Sequence, residues 1–396
     1  MIHKFYNGRV ILGNRIDEKV SVYTEDDRII AVTSDNLPFD VGHDAEGKYI
    51  SPGFIDIHVH GGGDGDFMDQ SVESFLKAAE AHAKFGTTLL LPTASSGSVD
   101  EYIAMFEVFE KATKENTKGA YMPGIHLEGP YFSLAQAGAQ IPEYITPPIK
   151  EDYELILKKY GDKLIRWSAA PEHPGSDEFV YALKQNNVVA AIGHSDADFD
   201  EAVKAYDMGY QLVTHLYSGC STVHRKNAFR YAGVVEAAFM IDGMDVEIIA
   251  DGCHLPPALL KYIVKFKGVD RIALITDALR WAALPEDNNS SEHGAANENR
   301  EHNLDVLIED GVAKLPDRSA FAGSICTTNR LVRNMMKLAD VTLVDAVRMM
   351  TVNPARMCNL ADRGAICKGG YADIVIFDDD INVSLTMVNG NVVFEG

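Results

Sequence analysis

Eight short apolar runs recur between residues 55 and 276, and most are followed by a stretch with helical periodicity. The runs cover 55–59, 87–92, 122–127, 164–170, 188–193, 212–214, 246–250 and 271–276. Each is the length of a strand and too short for a stable helix. Between the first two, Val72, Phe75, Leu76 and Ala79 fall on one helical face, with Gly86 placed to end the helix. Ala202, Val203, Tyr206 and Met208 precede Gly209 in the same way, and Leu259, Ile263 and Val264 precede Gly268. An alternation of this count predicts an α/β chain built on a (β/α)₈ TIM barrel rather than on an open sheet.

The two ends read differently. Arg9-Val10-Ile11-Leu12, Lys19-Val20-Ser21-Val22-Tyr23 and Arg28-Ile29-Ile30-Ala31-Val32 are β patterns separated by turn formers. Near the C-terminus, Asp373-Ile374-Val375-Ile376-Phe377 and Ser384-Leu385-Thr386-Met387-Val388 lead to Asn389-Gly390, a hairpin signal, and a last β run from Asn391. Neither end can build a core alone, so both are expected to join in one small β-sandwich module. The expected divisions are 1–51 and 354–396 for its two parts and 52–353 for the barrel.

Composition bounds the partners. With 36 basic and 58 acidic residues, the net charge of −22 repels phosphate backbones and argues against nucleic acid. No apolar run approaches the roughly 18 residues of a membrane span. The five cysteines form no CxxC pair, which argues against a disulfide framework or a thiolate zinc site. Together with an N-terminus lacking an apolar signal core, this predicts a cytoplasmic protein. The polar stretch 285–303 reads as a mobile surface insertion.

Ionisable residues cluster where the runs end. His58-Val59-His60 closes the first run, and strand alternation sends both imidazoles to one face. Glu128 closes the third run, His194 the fifth, His215 the sixth and Asp277 the eighth. Each is a metal-ligand type or a general base, and barrels of this class carry their active sites at the C-terminal ends of their strands. A solvated loop pair is the plainer reading of His58 and His60 alone, but not of the whole set. His126 shares the parity of Glu128 and reads as a hydrogen-bonded support rather than a ligand. His82 reads as a packing or surface residue.

The run from Ser51 to Gly61, with His126-Leu127-Glu128-Gly129-Pro130, Gly193-His194, Thr214-His215-Leu216, Ala250-Asp251-Gly252, Thr276-Asp277-Ala278 and Ala322-Gly323-Ser324, resembles the amidohydrolase superfamily. Within it, the set resembles the N-acetylglucosamine-6-phosphate deacetylase family over nearly the whole chain. The resemblance implies metal-dependent hydrolysis of the acetamide of an N-acetylamino sugar phosphate. Glu128, His194 and His215 would then hold metal, and His58 and His60 match an additional ligand pair. One or two divalent ions per chain follow, of zinc, iron, cobalt or manganese. Asp277 matches the catalytic aspartate, and Arg225 or Lys226 the phosphate-binding arginine. His254 matches a histidine on the sugar phosphate, and Ala139, Gln140, Ser218 and Gly219 fall at substrate-binding positions. The arginine can cross a dimer interface in this family, which implies a homodimer.

The chain also departs from the family pattern. Gly138-Ala139-Gln140 replaces Gly-x-His, Ser218 replaces an asparagine, and the loop 281–303 is longer and more acidic. A different N-acetylated sugar, one without the 6-phosphate, or another N-acyl or cyclic amide stays open as substrate. A non-catalytic scaffold is the reading from another class, and it would predict eroded ligands.

Overall fold

The computed structural model describes residues 1–284, 300–301 and 304–396. Most of the insertion expected at 285–303, and with it most of the loop 281–303, therefore lies outside the described residues.

All eight runs form strands: β1 (Phe54–Val59), β2 (Thr87–Ala94), β3 (Ile125–Glu128), β4 (Leu164–Ala169), β5 (Val189–Ile192), β6 (Leu212–Val213), β7 (Asp245–Ile248) and β8 (Ile272–Leu274). They lie side by side in chain order in one sheet, and every pairing is parallel. The seam between β8 and β1 is bridged beyond the ladder. Asp277 N–H donates to His58 O at 2.9 Å and His60 N–H donates to Ala278 O at 2.9 Å. Lower down, Thr276 Oγ1 donates to the buried Asp56 carboxylate at 2.5 Å.

The helices fall where the periodicity places them, at Val72–Ala83, Phe199–Met208 and Pro257–Lys267 among others. Ser71 and Asp198 cap the first two through side-chain oxygens. Their apolar faces pack on the outside of the sheet in one large core, with Phe75, Ala79, Ala202, Leu260 and Ile263 buried.

The ends of the chain meet as expected. The strands Tyr49–Pro52, Arg9–Leu12 and Arg15–Asp17 share a six-stranded sheet with Ile374–Phe377, Val383–Val388 and Asn391–Glu395. A four-stranded sheet from the first 44 residues faces it. Phe5, Val22 and Ile29 from one sheet and Ile50, Ile374 and Met387 from the other form their common core. Asn389 and Gly390 make the tight turn with φ of 47° and 77°. Among the described residues, no helix is long and apolar enough to cross a membrane.

Candidate metal centre

The strand ends bring His58, His60, Glu128, His194, His215 and Asp277 to one place, and all six are buried. Three of them turn the chain in an uncommon way. His194, His215 and Asp277 have φ of 45°, 30° and 48°, in the left-handed region that non-glycine residues seldom occupy. Such conformations persist only where surrounding contacts enforce them, and they concentrate at functional sites. Each residue follows a β-strand, so the turn swings its side chain over the barrel mouth.

Glu128 sits at the centre. Its Oε1 lies 2.8 Å from His215 Nε2 and 3.2 Å from His194 Nε2. His58 Nε2 is 3.5 Å from the same oxygen, and His60 Nε2 is 3.4 Å from Oε2. Asp277 Oδ1 faces the same pair, 3.1 Å from His60 and 3.4 Å from His58. The potential ligand atoms of His58, His60 and Asp277 lie within 4.8 Å of one another, as do those of His58, Glu128 and His215.

The outer ring nitrogens are held from behind. His194 Nδ1 lies 2.8 Å from Gln136 O, and His215 Nδ1 lies 3.0 Å from Ser218 O. A carbonyl can only accept, so both rings carry their proton on Nδ1 and turn the Nε2 lone pair toward Glu128. With Nε2 unprotonated, lone pairs and carboxylate oxygens face each other across about 3 Å, an arrangement that a cation between them would relieve. The donor set fits a divalent metal of the zinc, iron, cobalt or manganese kind.

The charge balance points the same way. Burial works against protonating His58 and His60, yet the Glu128 and Asp277 carboxylates outweigh it and push them up to about 9 and about 10. Burial would raise Glu128, but His58, His194 and His215 hold it well below the usual carboxylate range. Asp277 is likewise held below that range against its burial, chiefly by His58 and His60. The cluster therefore calls for positive charge at its centre.

His126 is a support, as its pattern predicts. Its Nε2 lies 2.8 Å from Ser168 Oγ and its Nδ1 lies 3.2 Å from Thr93 Oγ1, so both nitrogens are engaged by hydroxyls. His82 is buried and pairs through Nε2 with Gly61 O at 2.9 Å, bracing the loop after His60.

A cavity of about 250 Å³ opens over this histidine–carboxylate cluster. Ala139, Gln140, Ser218, Gly219 and His254 all line it, together with Ser95, Ser96, Leu279 and Phe321. His254 is oriented by Asp251, whose Oδ2 is 2.8 Å from Nδ1, and its ring lies 4.6 Å from that of Phe321. Gln140 turns inward: its Nε2 donates to Glu128 Oε2 at 2.8 Å, and its Oε1 accepts from Ser96 N–H at 2.8 Å. Both ends of the amide are thus taken by protein, and Gln140 braces the Glu128 carboxylate. Arg225 and Lys226 are not among the cavity-lining residues. They stand on an exposed hairpin, His224–Lys226 paired with Phe229–Tyr231. Sequence reasoning did not single out Ser95, Ser96 or Phe321. The first two had a signal in their position just after β2, and Phe321 had one in adjoining the Ala322-Gly323-Ser324 motif.

Residues 49–393 match the amidohydrolase family. The chain is 31% identical to the N-acetylglucosamine-6-phosphate deacetylase of Lysinibacillus sphaericus, over 98% of this chain and 96% of that one. It is 29% identical to the N-acetylgalactosamine-6-phosphate deacetylase of Escherichia coli O157:H7, covering 87% and 88% of the two chains. The crystal structure of N-acetylglucosamine-6-phosphate deacetylase from Pasteurella multocida superposes with a TM-score of 0.89, at 25% identity and 99% coverage of both chains. With its barrel, its split β module and its histidine–carboxylate centre, the chain belongs to the amidohydrolase family and, within it, to the N-acetylglucosamine-6-phosphate deacetylase family.

Proposed function

We propose that this protein hydrolyses the acetamide of N-acetylglucosamine 6-phosphate, giving glucosamine 6-phosphate and acetate. The observation that carries the reading is the Glu128 carboxylate ringed by imidazole Nε2 atoms, with Asp277 at the same cavity. Glu128, His194 and His215 would hold a divalent ion, and His58 and His60 would serve as ligands if a second ion binds. When bound, the metal supplies Lewis acidity toward the acetamide oxygen and toward the attacking water. Asp277 accepts the proton of that water at Oδ1 and returns it to nitrogen as the C–N bond breaks, so the amine departs neutral. The ionised state of the Asp277 carboxylate suits the first of these steps.

On the sugar side, His254 presents its free Nε2 to the phosphate, and Ala139, Gln140, Ser218 and Gly219 wall the pocket. Arg225 or Lys226 completes the phosphate site from a second copy of the chain, which makes the working form a homodimer. Support comes from the hairpin itself: Phe229 is 71% exposed beside the two cations, and Val223 is 54% exposed at its base. An apolar tip flanked by positive charge suits a surface covered by a partner. Residues 1–51 and 354–396 act as one β module and 52–353 as the barrel. All five cysteines are free, which suits a reducing cytoplasm.

N-acetylgalactosamine 6-phosphate is the second reading. It is supported by the 29% identity to the N-acetylgalactosamine-6-phosphate deacetylase of Escherichia coli O157:H7. The test is acetate release from N-acetylglucosamine, N-acetylgalactosamine and N-acetylmannosamine, each with and without 6-phosphate. Highest kcat/KM on N-acetylglucosamine 6-phosphate supports the proposal. Preference for the galacto compound selects the second reading, and indifference to phosphate removes the role of the hairpin cations.

A further inference from the structure

Beneath the metal centre the barrel lumen holds a buried ion pair. Arg166 of β4 and Glu247 of β7 are both fully buried. Arg166 Nη1 donates to Glu247 Oε1, and Nη2 lies 3.2 Å from Oε2. The guanidinium also donates to Ile57 O at 3.2 Å and to Thr214 Oγ1 at 3.0 Å. These partners come from β1, β7 and the end of β6, so the side chain crosses the lumen. Filling a barrel this way is not the cheap solution, since apolar residues of similar volume commonly stabilise a core as well or better.

The position of Glu247 gives the pair a use. Its Oε2 lies 3.5 Å from His58 Nδ1, a buried nitrogen that makes no hydrogen bond among the described residues and has this carboxylate facing it. The other ring nitrogens that face away from the centre have neutral partners. His194 and His215 use backbone carbonyls at 2.8 and 3.0 Å, and His60 lies 3.2 Å from the Ser95 hydroxyl. His58 alone among these histidines is backed by a carboxylate. Its Nε2 faces Asp277 Oδ1 at 3.4 Å and His60 Nε2 at 3.3 Å. For that lone pair to reach a metal, the ring proton must sit on Nδ1, and a carboxylate acceptor fixes both tautomer and ring angle.

We propose that Glu247, pinned by Arg166, is the positioning carboxylate of His58. The pair thereby sets the metal affinity of the half-site that His58 and His60 would form. The inference rests on the metal-binding reading above. It extends that reading from the ligands to a charged layer one step below them, and it assigns a role to two residues that never touch substrate.

The test measures Zn²⁺ affinity by competition with a chromophoric chelator, beside the thermal midpoint of the metal-stripped proteins. Wild type, Glu247→Gln, and the paired variant Arg166→Met with Glu247→Leu are compared. The paired variant removes both charges at similar volume, so its metal-free midpoint stays near that of wild type. Its weaker Zn²⁺ step, and that of Glu247→Gln, fall about 10–100-fold, the usual scale for loss of a carboxylate behind a ligand histidine. A folded paired variant with wild-type affinity at both steps overturns the proposal. A wild type that binds no Zn²⁺ refutes the metal reading instead. Long-range ¹H–¹⁵N spectra of wild-type imidazoles give a readout that needs no variant. A His58 Nδ1–H resonance downfield of those of His194 and His215 supports the carboxylate contact, and one no different from them overturns it.

Discussion

Gly219→Ala tests how tightly the centre is built. Gly219 has φ +57°, and a Cβ placed on it would lie 2.8 Å from His194 Nδ1 and 3.2 Å from its Cε1 and Cγ. Carbon contacts settle near about 3.5–4.0 Å, so the ring must yield by roughly 0.7 Å. It has little room. His194 is held by Gln136 O at 2.8 Å, faces Glu128 Oε1 at 3.2 Å and has the Phe132 ring 4.6 Å away. The left-handed backbone costs about 1–2 kcal/mol for an L-residue. Overpacking adds about 1–3 kcal/mol, so the expected loss is about 2–5 kcal/mol. Å-scale misplacement of a catalytic constellation can cost about 100-fold in rate. Urea unfolding of the metal-stripped protein, metal analysis and acetate release together read these effects. Gly13→Ala is the control: Gly13 has φ +59°, but a Cβ there would meet nothing within 4 Å. It should lose the backbone part alone and keep full metal content. If Gly219→Ala kept wild-type stability, metal content and kcat, the reasoning about His194 would fail.

Asp277→Asn should keep the metal and lower kcat by about two to four orders of magnitude, whereas His194→Ala and His215→Ala should lose metal on elemental analysis. Arg225→Ala with Lys226→Ala should raise KM for a phosphorylated substrate and leave turnover of an unphosphorylated analogue unchanged, as loss of charge-assisted binding does. A pH effect belongs to Lys267, whose Nζ donates to Ala238 O at 2.6 Å and Ile241 O at 2.8 Å at a helix end. Burial, above all, lowers it from 10.5 to about 8. Between those values the unfolded chain binds the proton and the folded chain does not, so this lysine's contribution to stability rises with pH there. Denaturant midpoints of wild type should therefore gain on those of Lys267→Met from pH 8 to 10.5 and run parallel below pH 8.

Much of this architecture is legible in the chain. Apolar runs between helical faces mark every barrel strand, because each strand is buried on both sides, and Asn389-Gly390 announces its hairpin through a backbone need. The candidate site is legible because His58, His60, Glu128, His194, His215 and Asp277 each fall where a run ends. The rest depends on partners far apart in sequence. Arg166 and Glu247 look like stray charges in apolar strands until the barrel closes and brings β4 and β7 together. Gln140 reads as a substrate contact and lines the cavity, but its bonds to Glu128 and Ser96 show only in the folded chain. The basic hairpin carries Arg225 and Lys226 as expected, but their place outside this chain's cavity lining depends on a fold that local pattern does not encode.

The most direct measurement strips the wild-type protein with a chelator and titrates it with Zn²⁺, Mn²⁺, Co²⁺ and Fe²⁺. Acetate release from N-acetylglucosamine 6-phosphate is followed against bound metal per chain. The account predicts a stripped protein without activity, and a rate that rises with metal and levels off at one or two ions per chain. A stripped protein that releases acetate at the full rate would contradict it, as would a metal-saturated one that releases none.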